Sequence, residues 1–194
     1  FAERAASKIP DVPEDTPTRP VRSAAVIGAG TMGGGIAMNF ANAGIPVTVL
    51  EVKQEALEKG LGVVRKNYEG SAKKGRLTAA QVEERMGLIK PTLSYADLAK
   101  ADIVVEAVFE DLALKQEMVK AFEAVNPRGI FASNTSSIPI ARIAEASRRP
   151  EGVLGMHYFS PAHKMPLLEV IVTEKTAHEA TATAVALGTT RAKT

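Results

Sequence analysis

The feature that most constrains this chain is the run Val26-Ile27-Gly28-Ala29-Gly30-Thr31-Met32-Gly33-Gly34-Gly35. Glycine turns are common, so a bare G-x-G-x-x-G decides little. Here Gly28, Gly30 and Gly33 follow an apolar segment and open an amphipathic helical one, and that context carries the weight. Gly28 permits a tight turn, Gly30 lets backbone approach a pyrophosphate, and Gly33 lets the helix pack on the strand, with Thr31 and Met32 completing the turn. The helix start then offers free N–H groups and its positive dipole end to phosphates. Glu51 closes the next apolar segment, about 20 residues further on, where a carboxylate accepts from the hydroxyls of an adenosine ribose. A 2′-phosphate there would meet a like charge, which favours NAD over NADP, although Lys53 nearby softens the contrast.

The rest of the chain repeats the same alternation. Short β-branched runs at residues 24–28, 47–51, 88–91, 103–107, 130–133, 153–157 and 168–172 predict strands. Helical patterns lie between them near 32–43, 53–69, 78–86, 112–125, 139–146 and 176–187. Thr78 with Gln81 fits a capping box for the third of these helices. Strands apolar on both faces, alternating with helices, predict a Rossmann-type doubly wound α/β fold: a mostly parallel sheet with helices on both faces. Residues 1–9 have the pattern of a short helix, and Pro10, Pro13, Pro17 and Pro20 follow. Residues 1–20 therefore predict an extended linker from an upstream domain, with the α/β domain over 21–194. A start at Phe1 and a polar end at Thr194 read as a piece of a longer chain.

Composition excludes several classes. With 45% apolar and 24% charged residues this is an ordinary globular chain. Zero Cys removes disulfide scaffolds, thiolate metal sites and thiol nucleophiles, and no metal cluster is assigned. A net charge of +2 gives no nucleic-acid footprint. No run approaches the roughly 20 apolar residues of a membrane helix.

Four polar segments fall at the carboxyl ends of later strands, where such folds bind ligands. In Val108-Phe109-Glu110-Asp111 followed by Lys115, the acids also suit the cap of the next helix, and the lysine suits a solvated surface. In Ser133-Asn134-Thr135-Ser136-Ser137, one residue is enough for a cap, so another hydroxyl or amide is free to reach a ligand. The third segment runs from Gly155 through His157, Tyr158, Phe159 and Ser160 to His163. The fourth is Glu169, a carboxylate between apolar neighbours on a strand, where burial demands a partner. His157 with Glu169 would make a general base and its orienting acid. His163 competes for the base, and His178 lies in a polar, solvated helix.

Together these motifs resemble the NAD-binding domain of the 3-hydroxyacyl-CoA dehydrogenases. The resemblance rests on Gly-Ala-Gly-Thr-Met-Gly from Gly28, Val105-Glu106-Ala107-Val108-Phe109-Glu110, Ser133 to Ser137, and Gly155-Met156-His157-Tyr158-Phe159-Ser160-Pro161. The Phe-Ser-Pro form is similar to that of the multifunctional β-oxidation enzymes, in which an enoyl-CoA hydratase domain precedes the dehydrogenase. The resemblance implies oxidation of a 3-hydroxyacyl-CoA by NAD, with His157 as base and Glu169 as its partner. It implies that Met32, Glu51, Val108, Phe109, Glu110, Lys115 and Ser160 lie along the cofactor. Ser136 would touch both nicotinamide and the 3-hydroxyl, while Asn67 and Lys74 would meet the CoA moiety. The stretch 53–76 holds seven Lys or Arg against three Glu, which suits a phosphorylated ligand and equally a solvated helical hairpin. The family's second, all-helical domain is absent from the residues present, so the expected parent is multidomain and oligomeric, and this piece alone binds NAD without turnover. A dehydrogenase of a non-CoA 3-hydroxy acid is the alternative. Bacterial cytoplasm is the expected compartment, with peroxisome and mitochondrial matrix as alternatives.

Overall fold

The protein, seen here as a computed structural model, is described over Ile9 and residues 11–192. Parallel strands need long crossovers, and the sequence supplies a helix for most of them. The chain runs β1 (Ala24–Ile27), α1 (Thr31–Asn42), β2 (Val47–Leu50), α2 (Gln54–Lys73), α3 (Ala79–Gly87) and β3 (Ile89–Thr92). It continues with β4 (Ile103–Glu106), α4 (Leu112–Val125), β5 (Ile130–Ser133), α5 (Ile140–Ala144), β6 (Val153–Tyr158), β7 (Leu168–Ile171) and α6 (His178–Ala192). The seven-stranded sheet has the order β3-β2-β1-β4-β5-β6-β7, with only β7 antiparallel. The strand order therefore reverses at β1, which opens a crevice between the β1 and β4 carboxyl ends.

Period-two alternation sends each strand into two cores. Ala24 and Val26 of β1 pack with Ile36, Phe40 and Leu57, whereas Ala25 and Ile27 pack on the other face with Val119, Phe122 and Ile143. The edge strand β7 departs from the expectation of two apolar faces. Leu168 and Val170 pack inward while Glu169 and Ile171 are exposed. An antiparallel edge can keep one face in water, so Glu169 carries no burial penalty of the kind its neighbours suggested.

The helix starts follow local chemistry. Thr78 and Gln81 form the full capping box of α3, with reciprocal bonds of 2.9 and 3.1 Å. Asp111 caps α4 by accepting from Leu114 N–H at 2.8 Å, whereas Glu110 turns elsewhere. The short helix expected over residues 1–9 falls, Ile9 apart, outside the described residues. Residues 11–23 contain neither helix nor strand. Arg19, inside the expected linker, is nevertheless fastened to the domain: its N–H donates to Thr183 Oγ1 at 2.9 Å and its guanidinium pairs with Glu179 at 2.8 Å.

Candidate active site

Register brings the ligand-side residues into one row. Ile27 pairs with Leu50 and with Glu106, and Glu106 pairs with Ser133. Gly28, Glu51, Ala107 and Asn134 consequently leave the sheet at one level. Ser133 pairs with Gly155, so β6 continues past that level and carries His157 one residue beyond it.

At the glycine turn, Gly28 has φ +101° and donates to Leu50 O at 2.8 Å. A Cβ on Gly33 would stand 1.9 Å from Gly28 O, so any side chain there forces α1 off the strand. Gly30, by contrast, is exposed, and a Cβ there would meet nothing. Gly30 is also the N-cap of α1 and no side chain caps the helix. Uncapped N–H groups beside open space fit a dinucleotide diphosphate. Thr31 is exposed and Met32 half-buried at the same helix start. Glu51 is held beside the turn, accepting from Ala29 N–H at 3.1 Å and Val52 N–H at 2.8 Å. Each carboxylate oxygen has a second lone pair left for a ribose hydroxyl.

Across the crevice lies a polar network. Position 106 shares the α4-facing side of β4 with Val104, and there Glu106 is fully buried. Its Oε1 accepts from Lys115 Nζ at 2.7 Å and Val108 N–H at 2.8 Å, and its Oε2 accepts from Ser133 Oγ at 2.6 Å. Lys115, only 1% exposed, also stands 3.3 Å from Glu110 Oε2. The solvated surface position weighed for Lys115 is therefore overturned. Its charge is spent between two carboxylates, and it reaches the ligand side through Glu110.

Glu110 gathers the next loop. Its Oε1 accepts from the Thr135 hydroxyl, from Ser136 N–H at 3.0 Å and from Ser137 N–H at 3.1 Å. Burial pushes this carboxyl up, but the bonds from Thr135 and Ser137 and the charge of Lys115 outweigh it and hold it at about 2. Ser136 itself is exposed, Val108 is half-buried, and Phe109 is 87% exposed at the crevice mouth. Asn134 then ties this loop to β6, its Oδ1 accepting from Tyr158 N–H at 2.9 Å.

His157 and Glu169 face each other directly in the β6–β7 ladder, with Nδ1 to Oε2 at 2.8 Å. An ionised carboxylate only accepts, so Nδ1 carries the proton and Nε2 keeps its lone pair in the neutral ring. The imidazole also packs against Phe159, with ring centroids 4.7 Å apart. His163 is half-buried and pairs with no carboxylate among the described residues. Burial and Lys164 push it down. His178 is exposed on α6.

Three expected residues lie outside this bonded set. Ser160 is exposed and precedes a cis proline. Asn67, half-buried on α2, places its amide 3.9 Å from Met38 Sδ, and Lys74 is exposed at the end of that helix. Sequence reasoning missed two members. Glu106 had the signal of an acid ending an apolar strand, as Glu51 does. Asn134 was read only as one of several polar residues in its loop.

The family of 3-hydroxyacyl-CoA dehydrogenase NAD-binding domains matches residues 23–194. The chain belongs to that family. This NAD-binding domain is 49% identical over 173 residues to the fatty acid oxidation complex subunit alpha of Pseudomonas syringae pv. tomato, covering 89% of the chain and 24% of that relative. The chain thus spans about a quarter of the length of the curated relatives it matches. Among solved structures, the (S)-3-hydroxybutyryl-CoA dehydrogenase of Ralstonia eutropha superposes with a TM-score of 0.86 at 35% identity, covering 89% of this chain and 61% of that one. The dehydrogenase part of multifunctional enzyme 1 from C. elegans gives a TM-score of 0.84 at 29% identity, covering 95% of this chain and 43% of that one.

Proposed function

We propose that this domain carries the cofactor-binding and proton-transfer half of an enzyme that oxidises 3-hydroxyacyl-CoA to 3-oxoacyl-CoA in fatty acid β-oxidation. The observation behind the reading is the His157–Glu169 pair, 2.8 Å apart, one strand away from the Ser136 loop. NAD, when bound, supplies the hydride acceptor. The chain's own residues do the rest. Gly28, Gly30 and Gly33 let the diphosphate approach the start of α1, and Glu51 accepts from the ribose. Glu106 holds the Val108 backbone and Glu110 the Ser136 backbone, with Lys115 between the two acids, and Phe109 and Ser160 line the cofactor side. Ser136 orients the substrate hydroxyl, His157 takes its proton at Nε2, and Glu169 stabilises the imidazolium that forms. Asn67 and Lys74 hold the CoA moiety. The whole enzyme is multidomain and oligomeric, with a helical domain completing the substrate cleft, and bacterial cytoplasm is its compartment.

Two measurements test this reading. Calorimetric titration of the chain should give saturable NADH binding and much weaker NADPH binding, and equal binding of the two would remove Glu51 from its role. The full-length protein should oxidise 3-hydroxybutyryl-CoA and leave free 3-hydroxybutyrate almost untouched. Equal turnover of both would replace this reading with a dehydrogenase of free hydroxy acids.

A further inference from the structure

A cavity of about 620 Å³ lies at the other end of the sheet, lined by Arg19, Lys100, Asp102, Asn126, Arg128 and Arg149 among others. Asp102 directly precedes β4, Gly129 precedes β5, and Arg149 leads into the turn before β6, so the walls are the connections that enter the strands. Four residues of strand at ~3.3 Å each put this cavity roughly 13 Å from the glycine-turn end. It is a separate place on the molecule.

The wall is built in advance of any ligand. Asn126, buried, donates to Leu98 O at 3.0 Å and Ala101 O at 2.7 Å, and its Oδ1 accepts from Arg128 N–H and Gly129 N–H. Arg19 donates to Arg128 O at 2.9 Å, and Arg149 donates to the neighbouring Pro127 O. Two guanidinium groups are thereby fixed to adjacent carbonyls of one loop, each with N–H donors to spare. The one carboxylate of this lining has an oxygen turned to the backbone, Asp102 Oδ2 accepting from Arg22 N–H at 2.8 Å and Ser23 N–H at 3.0 Å. Arg19 and Arg149 also pair with Glu179 and Glu151, whereas the side chains of Lys100 and Arg128 meet no carboxylate among the described residues. Lys100 and Arg128 thus leave the cavity with positive charge that its carboxylates do not answer and that an anion would neutralise.

We propose that this cavity binds a small polyanion of linked phosphates, inorganic pyrophosphate or a diphosphate borne by a larger molecule. Guanidinium forks and a lysine ammonium suit phosphate oxygens in complementary ways. Among the described residues the lining contains no aromatic one, so a nucleobase finds nothing there to stack on and charge sets recognition.

The test is calorimetric titration of pyrophosphate into the chain already saturated with NADH, which occupies the glycine turn. Binding at one site per chain is expected to persist, to weaken about tenfold or more in Lys100→Glu/Arg128→Glu, and to leave NADH affinity unchanged in that variant. If the charge reversals disturb folding, Lys100→Gln/Arg128→Gln should show the same direction. ADP should bind no more tightly than pyrophosphate. Absence of saturable binding, loss of binding when NADH is present, equal binding by the variants, or markedly tighter ADP binding would each overturn the proposal.

Discussion

Two carboxylates on this sheet, Glu106 and Glu169, have opposite circumstances. Glu106 is fully buried and accepts from a lysine, a serine hydroxyl and a backbone N–H. Glu169 is 53% exposed on an edge strand and has His157 as its hydrogen-bond partner. In the low-dielectric interior a carboxylate needs hydrogen-bonded partners, and those of Glu106 tie β4, α4 and β5 together around it. Glu169 stands partly in water beside an imidazole, a type of pair that general-base chemistry uses elsewhere. The first group belongs to the scaffold of the candidate site, and the second is the one that the proposed reaction would use.

That contrast can be broken by substitution. His157→Gln should lower turnover of the full-length protein by about 10²–10⁴-fold, the range for loss of a general base, while NADH affinity stays near wild type. Near-normal turnover would take His157 out of the reaction. Lys115→Met should cost about 3–5 kcal/mol in urea unfolding, because Glu106 is left as an uncompensated buried charge. Adding Glu106→Gln to that variant should restore part of the loss; no recovery would mean that packing, not charge, was at stake.

Acid titration sharpens the comparison. Glu110 is ionised in the folded protein down to about 2, below its ordinary 4.5, so its contribution is present above about 4.5 and disappears as pH falls through about 2. The stability difference between wild type and Glu110→Gln should therefore shrink across that window, and a gap independent of pH would refute the assignment. The smallest effect belongs to Glu169→Gln, which should change unfolding free energy by less than about 1 kcal/mol, as exposed pairs do, yet slow turnover measurably. A large stability loss would place Glu169 with Glu106.

All seven strands and the glycine turn were legible in the sequence because they are local: β-branched runs, a glycine spacing, the Thr78 box. The His157–Glu169 pair was also legible, as two polar residues on apolar strands. What stayed hidden depended on alternation between faces and on register. Nothing near Lys115 in the chain says that position 106 points toward α4, so a buried lysine read equally well as a solvated one. Glu110 and Asp111 look interchangeable as caps, and only the packed loops assign one to α4 and the other to the Ser136 loop. The edge position of β7 was invisible for the same reason, since strand order is not written in any one segment.

The bond from Tyr158 N–H to Asn134 has a kinetic consequence. It joins the loop carrying Ser136 to the strand carrying His157, so the two cannot separate without releasing one identifiable amide proton. Hydrogen–deuterium exchange at Tyr158 would then time the opening of the site. Asn134→Ala should quicken that single exchange, showing whether hydroxyl and imidazole breathe together or apart.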